Sequence, residues 1–113
     1  MIKSYADLEQ SKKLAEILPL ESADMYYEWP NKKVHFKDDK YNGMGLSCWS
    51  LAALLGALPT IDDEFEPQLH RSLDKYCCTY EGEEDSSGLW RVADNPVDAC
   101  VAMIEKLHEL NLL

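Results

Sequence analysis

A cysteine beside a tryptophan at the head of an apolar run, Cys48 and Trp49 in "GLSCWSLAALLGALP" (residues 45–59), has the makings of a nucleophile. A thiol at a helix N-terminus meets the positive end of the dipole and unpaired N–H groups, which favour thiolate. It also needs a base. His70 in "QLHRSLDKY" is the nearer downstream histidine, but it sits on a strand-like run without small residues around it. The competing reading makes Cys48 a small hydrophobe where helix 48–58 enters the core. Cysteine is among the most buried residue types, and apolar surroundings raise its pKa. The all-apolar stretch that follows supports packing, so no catalytic residue is expected.

The local pattern of papain-type cysteine proteases, C-G-[SA]-C-[WY], sharpens this choice. Ser47, Cys48 and Trp49 match it; Gly45 stands in place of the first cysteine and Leu46 in place of the glycine. Asn42 is the nearest upstream amide, a poor substitute for the glutamine of that family. At 113 residues the chain is also about half the length needed for two lobes and a cleft. A Gly-rich phosphate loop, G-x-S-x-G and H-E-x-x-H are all absent. Cys48, Cys77, Cys78 and Cys100 contain no C-x₂-C pair and the histidines are unpaired, so neither metal nor cofactor is expected. The N-terminal "MIKSYADLEQSKK" lacks the apolar middle of a signal peptide, which implies free thiols and a cytoplasmic location.

Charge singles out another kind of chemistry. The formal net charge is −10, and it is uneven. Residues 1–61 carry seven Lys/Arg against eight Asp/Glu, whereas residues 62–113 carry four against thirteen. Acidic residues concentrate at Asp62, Asp63, Glu64 and Glu66, at Glu81, Glu83, Glu84 and Asp85, and on the last helix. Nucleic-acid binding needs clustered cations, so direct DNA or RNA contact is not expected. The plain role of such acidity is solubility; the sharper one is a surface that steers a basic protein partner. No apolar run approaches the roughly 20 residues of a membrane span.

The elements that would position these groups follow from pattern. Ser4 with Asp7 three residues on suggests a cap, and Tyr5–Leu18 then reads as a helix stopped by Pro19. Met25, Tyr27 and Trp29 alternate with Tyr26 and Glu28, and Val34 and Phe36 with His35 and Lys37, which describes a hairpin around "PNKK". Residues 38–45 form a loop, and Ser47 caps the apolar helix. Short β runs follow at Leu69–Leu73, Tyr76–Tyr80 and Leu89–Val92, with Tyr76, Cys78 and Tyr80 on one face and Cys77 and Thr79 on the other. Asn95 caps a final helix with Pro96 in its first turn and Val97, Cys100, Val101, Ile104 and Leu107 as its core stripe. His108 lies in its last turn, where a cation suits the dipole.

"QSKKLAEILPLESADMYY" (10–27), "CWSLAALLGALP" (48–59) and "ADNPVDACVAMIEKLHELNLL" (93–113) resemble small uncharacterised proteins encoded by phages and mobile elements of gut anaerobic bacteria. No established activity comes with that resemblance. It implies an accessory protein that works by binding.

The expectation is therefore one α+β domain over residues 1–113, with three helices on short antiparallel β segments. Its order is α-β-β-α-β-β-α with room for one extra short strand, and helix 48–58 is central. Its role is a non-enzymatic protein–protein interaction module, monomeric or a small homo-oligomer; exposure of Tyr26, Tyr80 and Trp90 would strengthen this, while core packing is the default for each one. The alternative is a small-molecule binder with a pocket between Tyr27, Trp29 and the central helix.

Overall fold

Three helices and two three-stranded antiparallel sheets alternate along the chain in a computed structural model that describes residues 3–38, 41, 43–62, 64–80 and 89–113. Helix α1 spans Leu8–Ile17. It begins later than Tyr5, and Asp7 caps it instead of Ser4. The Asp7 carboxylate accepts from the Gln10 N–H at 2.8 Å, and Gln10 Oε1 accepts from the Asp7 N–H at 3.0 Å. Both orphan donors are thereby satisfied. Ser4 is engaged elsewhere: its carbonyl accepts from Leu51 N–H, and Ala6 N–H donates to Trp49 O. Residues 4–6 thus lie beside the chain around Ser50, which delays the helix.

The expected hairpin is present as β1 (Met25–Tyr27) and β2 (Val34–Phe36), paired Met25↔Phe36 through Tyr27↔Val34. A third strand, β3 (Leu46–Cys48), occupies the other edge of β1 with Met25 opposite Cys48. This corrects the reading of 38–45 as a loop running straight into a helix. Gly45 permits the approach: its φ is +97°, and a Cβ there would lie 2.6 Å from the Tyr27 carbonyl oxygen. Only glycine tolerates both conditions.

With Leu46–Cys48 in a strand, helix α2 shrinks to Leu51–Ala57 and its cap moves from Ser47 to Ser50. Ser50 Oγ accepts from Ala53 N–H at 3.2 Å, while its own N–H and hydroxyl donate to the Asp24 carboxylate. Leu54 and Leu58 are buried, but Ala52 and Gly56 are exposed, so α2 flanks the core and is not its centre.

The centre is α3 (Pro96–Glu109). Asn95 Oδ1 caps it by accepting from Asp98 N–H at 2.8 Å, and Pro96 occupies the first turn. The expected stripe of Val97, Cys100, Val101, Ile104 and Leu107 is buried, joined by Ala99 and Met103. This helix packs on the second sheet, β4 (Pro67–Ser72), β5 (Lys75–Tyr80) and β6 (Trp90–Ala93), in the order β4-β5-β6. The observed order is therefore α-β-β-β-α-β-β-β-α: the α+β class holds, with a third strand in each β group.

Leu69, Tyr76, Cys78 and Tyr80 join α3 in a main core shared with α1 and α2. Met25, Tyr27 and Cys48 form a second, smaller core with Leu8, Val34 and Leu46. Two cores make the molecule longer than one would: its extents are 47 × 30 × 22 Å and its radius of gyration 14.6 Å, against about 13 Å for a round domain of this length. Among the described residues no helix is long and apolar enough to cross a membrane.

Candidate functional site

The Cys48 sulfur is sealed in the smaller core. It ends β3, three residues before α2 begins, and has no accessible surface. Its thiol points to the Ala6 carbonyl at 3.4 Å, the same oxygen that accepts from the Tyr27 hydroxyl at 2.8 Å. Burial pushes this thiol up, away from thiolate. Alternation puts His35 on the opposite face of the first sheet, and His70 belongs to the second sheet. This geometry is packing. Cys78 of β5 and Cys100 of α3 are likewise fully buried and hydrogen-bonded to each other. That bond and burial raise the Cys100 thiol. Cys77 faces the other way and is half-buried, as strand alternation requires.

The hairpin aromatics separate. Tyr27 is buried with its hydroxyl on Ala6, and burial raises its phenol well above the ordinary range. Trp29 stands half-exposed at the turn with Lys32 Nζ 5.7 Å from its ring centre. A shallow groove of about 380 Å³ lies between α1 and α3, lined by Lys13, Glu16, Ile17, Glu105 and His108. The other aromatics also diverge. Tyr80 is buried and donates to the Pro59 carbonyl at 2.7 Å. Tyr26 is half-buried between Tyr41 and His35, with ring centres 4.7 and 5.5 Å away. Trp90 alone of the three keeps about half its surface in solvent.

Trp90 belongs to the open part of the second sheet. The register Pro67↔Tyr80 and Thr79↔Trp90 brings the start of β4, the end of β5 and the start of β6 to one end. Residues 61–66 lead into that end. Ile61 and Phe65 bond each other's backbone and pack against the main core, which turns Asp62 and Glu64 outward. Asp62, Glu64 and Glu66 are exposed. Asp63 and the segment with Glu81, Glu83, Glu84 and Asp85 lie outside the described residues. By sequence that segment connects β5 to β6.

On the sheet itself, Trp90 and Val92 face out, 54% and 47% exposed, while Arg91 and Ala93 alternate inward. The outer face continues through Cys77 and Thr79 to His70 and Gln68. Trp90 was legible as a loose aromatic; that Val92 shares its face follows from the period-2 run 90–93. No protein-family model, curated protein or solved structure matches the chain.

Proposed function

We propose that this chain is a non-enzymatic protein–protein interaction module, a cytoplasmic accessory protein of a phage or mobile element that meets a basic partner protein. One observation carries the reading. The Ile61–Phe65 turn holds Asp62 and Glu64 outward at the end of the second sheet where Trp90 is exposed. An exposed aromatic and acids gathered at one end of a sheet match the composition of a binding surface. The charge of residues 62–113, four Lys/Arg against thirteen Asp/Glu, gives that rim a field to steer with. The phage or mobile-element setting rests on the resemblance of residues 10–27, 48–59 and 93–113.

Capture on immobilised protein, run beside a variant with Asp62→Asn, Glu64→Gln and Glu66→Gln, tests this. A basic protein retained at low salt, released as salt rises and lost from the variant is the expected result. Identical capture by both chains removes the acidic surface from the function.

A further inference from the structure

The proposed module has one feature that specifies how a partner would seat itself: the free edge of β6. In an antiparallel pair, residues alternate between those whose backbone groups face the neighbouring strand and those whose groups face away. Tyr80 N–H donates to Leu89 O at 3.0 Å, so residues 89, 91 and 93 turn their backbone toward β5. Trp90 and Val92 then turn theirs off the sheet. The Trp90 carbonyl is covered by Arg91 Nη1 at 2.8 Å. The N–H groups of Trp90 and Val92 and the Val92 carbonyl have no partner among the described residues. The opposite edge differs in its side chains: β4 opens with Pro67, which has no N–H, and the outer face beside it carries the polar Gln68 and His70. Among the described residues, β6 is the edge of this sheet whose outward side chains are apolar.

Resting on the interaction-module reading, we infer that β6 accepts an extended Lys/Arg-bearing segment of a partner protein as a fourth strand of the second sheet. Backbone pairing at Trp90 and Val92 supplies register, and alternate apolar side chains of the segment rest on these two. Charge selects the occupant. The acids Asp62, Glu64 and Glu66 stand at the end of this sheet, and residues 62–113 carry four Lys/Arg against thirteen Asp/Glu. A second copy of the chain would bring another −10 against the same surface. A basic strand meets attraction where a second copy meets repulsion.

The probe is a capped octapeptide of alternating Lys and Val, labelled for fluorescence anisotropy against the full chain. It should bind at low salt, weaken as salt rises, and slow amide exchange at Trp90 and Val92. Its Glu-Val counterpart should not bind. The same Lys-Val peptide with N-methyl groups on alternate residues loses its donors, and its affinity should fall by about tenfold or more. Val92→Pro should do likewise. The outward N–H makes proline compatible with the fold, since no bond to β5 is lost, and a thermal melt checks that it folds. If the methylated peptide and Val92→Pro bind as well as the originals, strand addition is refuted while the acidic-surface reading stands. If the Lys-Val peptide does not bind at all, or binds no better than the Glu-Val one, both fall.

Discussion

The two sheets solve the same problem with different means. The first has strands of three residues and closes one face over Met25, Tyr27 and Cys48, a core too small to carry much burial energy. What holds it is a set of specific ties: the Tyr27 hydroxyl on Ala6, the Ser50 N–H and hydroxyl on Asp24, and the close pass of Gly45 over Tyr27. The second sheet lies on α3, whose buried stripe supplies a continuous apolar layer. One face suffices to anchor it, so the other can remain exposed. Trp90 and Val92 stand about half-exposed on that outer face.

The sharpest way to break this contrast is to hollow each core. Ile104→Ala removes a fully buried side chain from the layer between α3 and the rest of the main core. A loss of about 3–4 kcal/mol is expected from lost transfer energy plus the cavity left behind. Met25→Ala empties part of the smaller core, which can collapse around the gap, and about 2 kcal/mol is expected. Urea midpoints at constant m-value measure both. A Met25→Ala loss greater than that of Ile104→Ala would place the stability on the wrong sheet.

Gly45→Ala tests the ties of the first sheet. The added methyl meets the Tyr27 carbonyl at 2.6 Å and must do so at φ +97°. About 2 kcal/mol should be lost. A melting temperature unchanged from the parent would show that β3 does not depend on this approach.

That same approach explains what was and was not legible in the sequence. Helix α3 was, because Asn95, Pro96 and the stripe from Val97 to Leu107 are local signals that agree. The β1–β2 hairpin was too, through alternation on both sides of a turn. Strand β3 was not. Leu46–Cys48 is three residues long and runs directly into apolar sequence, so nothing local separates it from the helix beyond. Its pairing with Met25–Tyr27 is a contact between residues distant in the chain, and it overrides the cap signal of Ser47 in favour of Ser50. Asp62, Glu64 and Glu66 could be counted from composition, but their place at the end of the second sheet depends on the register Pro67↔Tyr80.

A polar tie also joins the start of the chain to α3, and it titrates. Asp98 accepts from Lys3 Nζ, Gln10 Nε2 and Asn95 Nδ2, all within 2.9 Å. Burial alone would raise its carboxyl; these bonds outweigh that and hold it below the usual carboxylate range. A depressed folded pKa means the stabilisation is complete above the unfolded value of about 3.9 and is lost as pH falls through the folded one. The urea midpoint should therefore drop below about pH 4. Asp98→Asn should flatten that drop and cost about 0.5–1 kcal/mol at neutral pH, since the site is partly exposed. An acid limb of unchanged steepness in the variant would shift the cause to other carboxylates.

The smallest effect separates the two ends of the second sheet. Leu73, in the two-residue link between β4 and β5, is 90% exposed and held at φ +57°, in the left-handed region. That conformation costs a residue with a Cβ roughly 1–2 kcal/mol, while glycine gives back about 0.5–1 kcal/mol through greater unfolded-state freedom. Leu73→Gly should thus stabilise by about 0.5 kcal/mol, a rise of a few degrees in Tm. The turn sits at the end of the sheet away from Pro67, Tyr80 and Trp90, so binding of the Lys-Val peptide should not change. Stabilisation with unaltered binding ties recognition to the acidic end. Weakened binding would mean that the whole outer face, turn included, takes part.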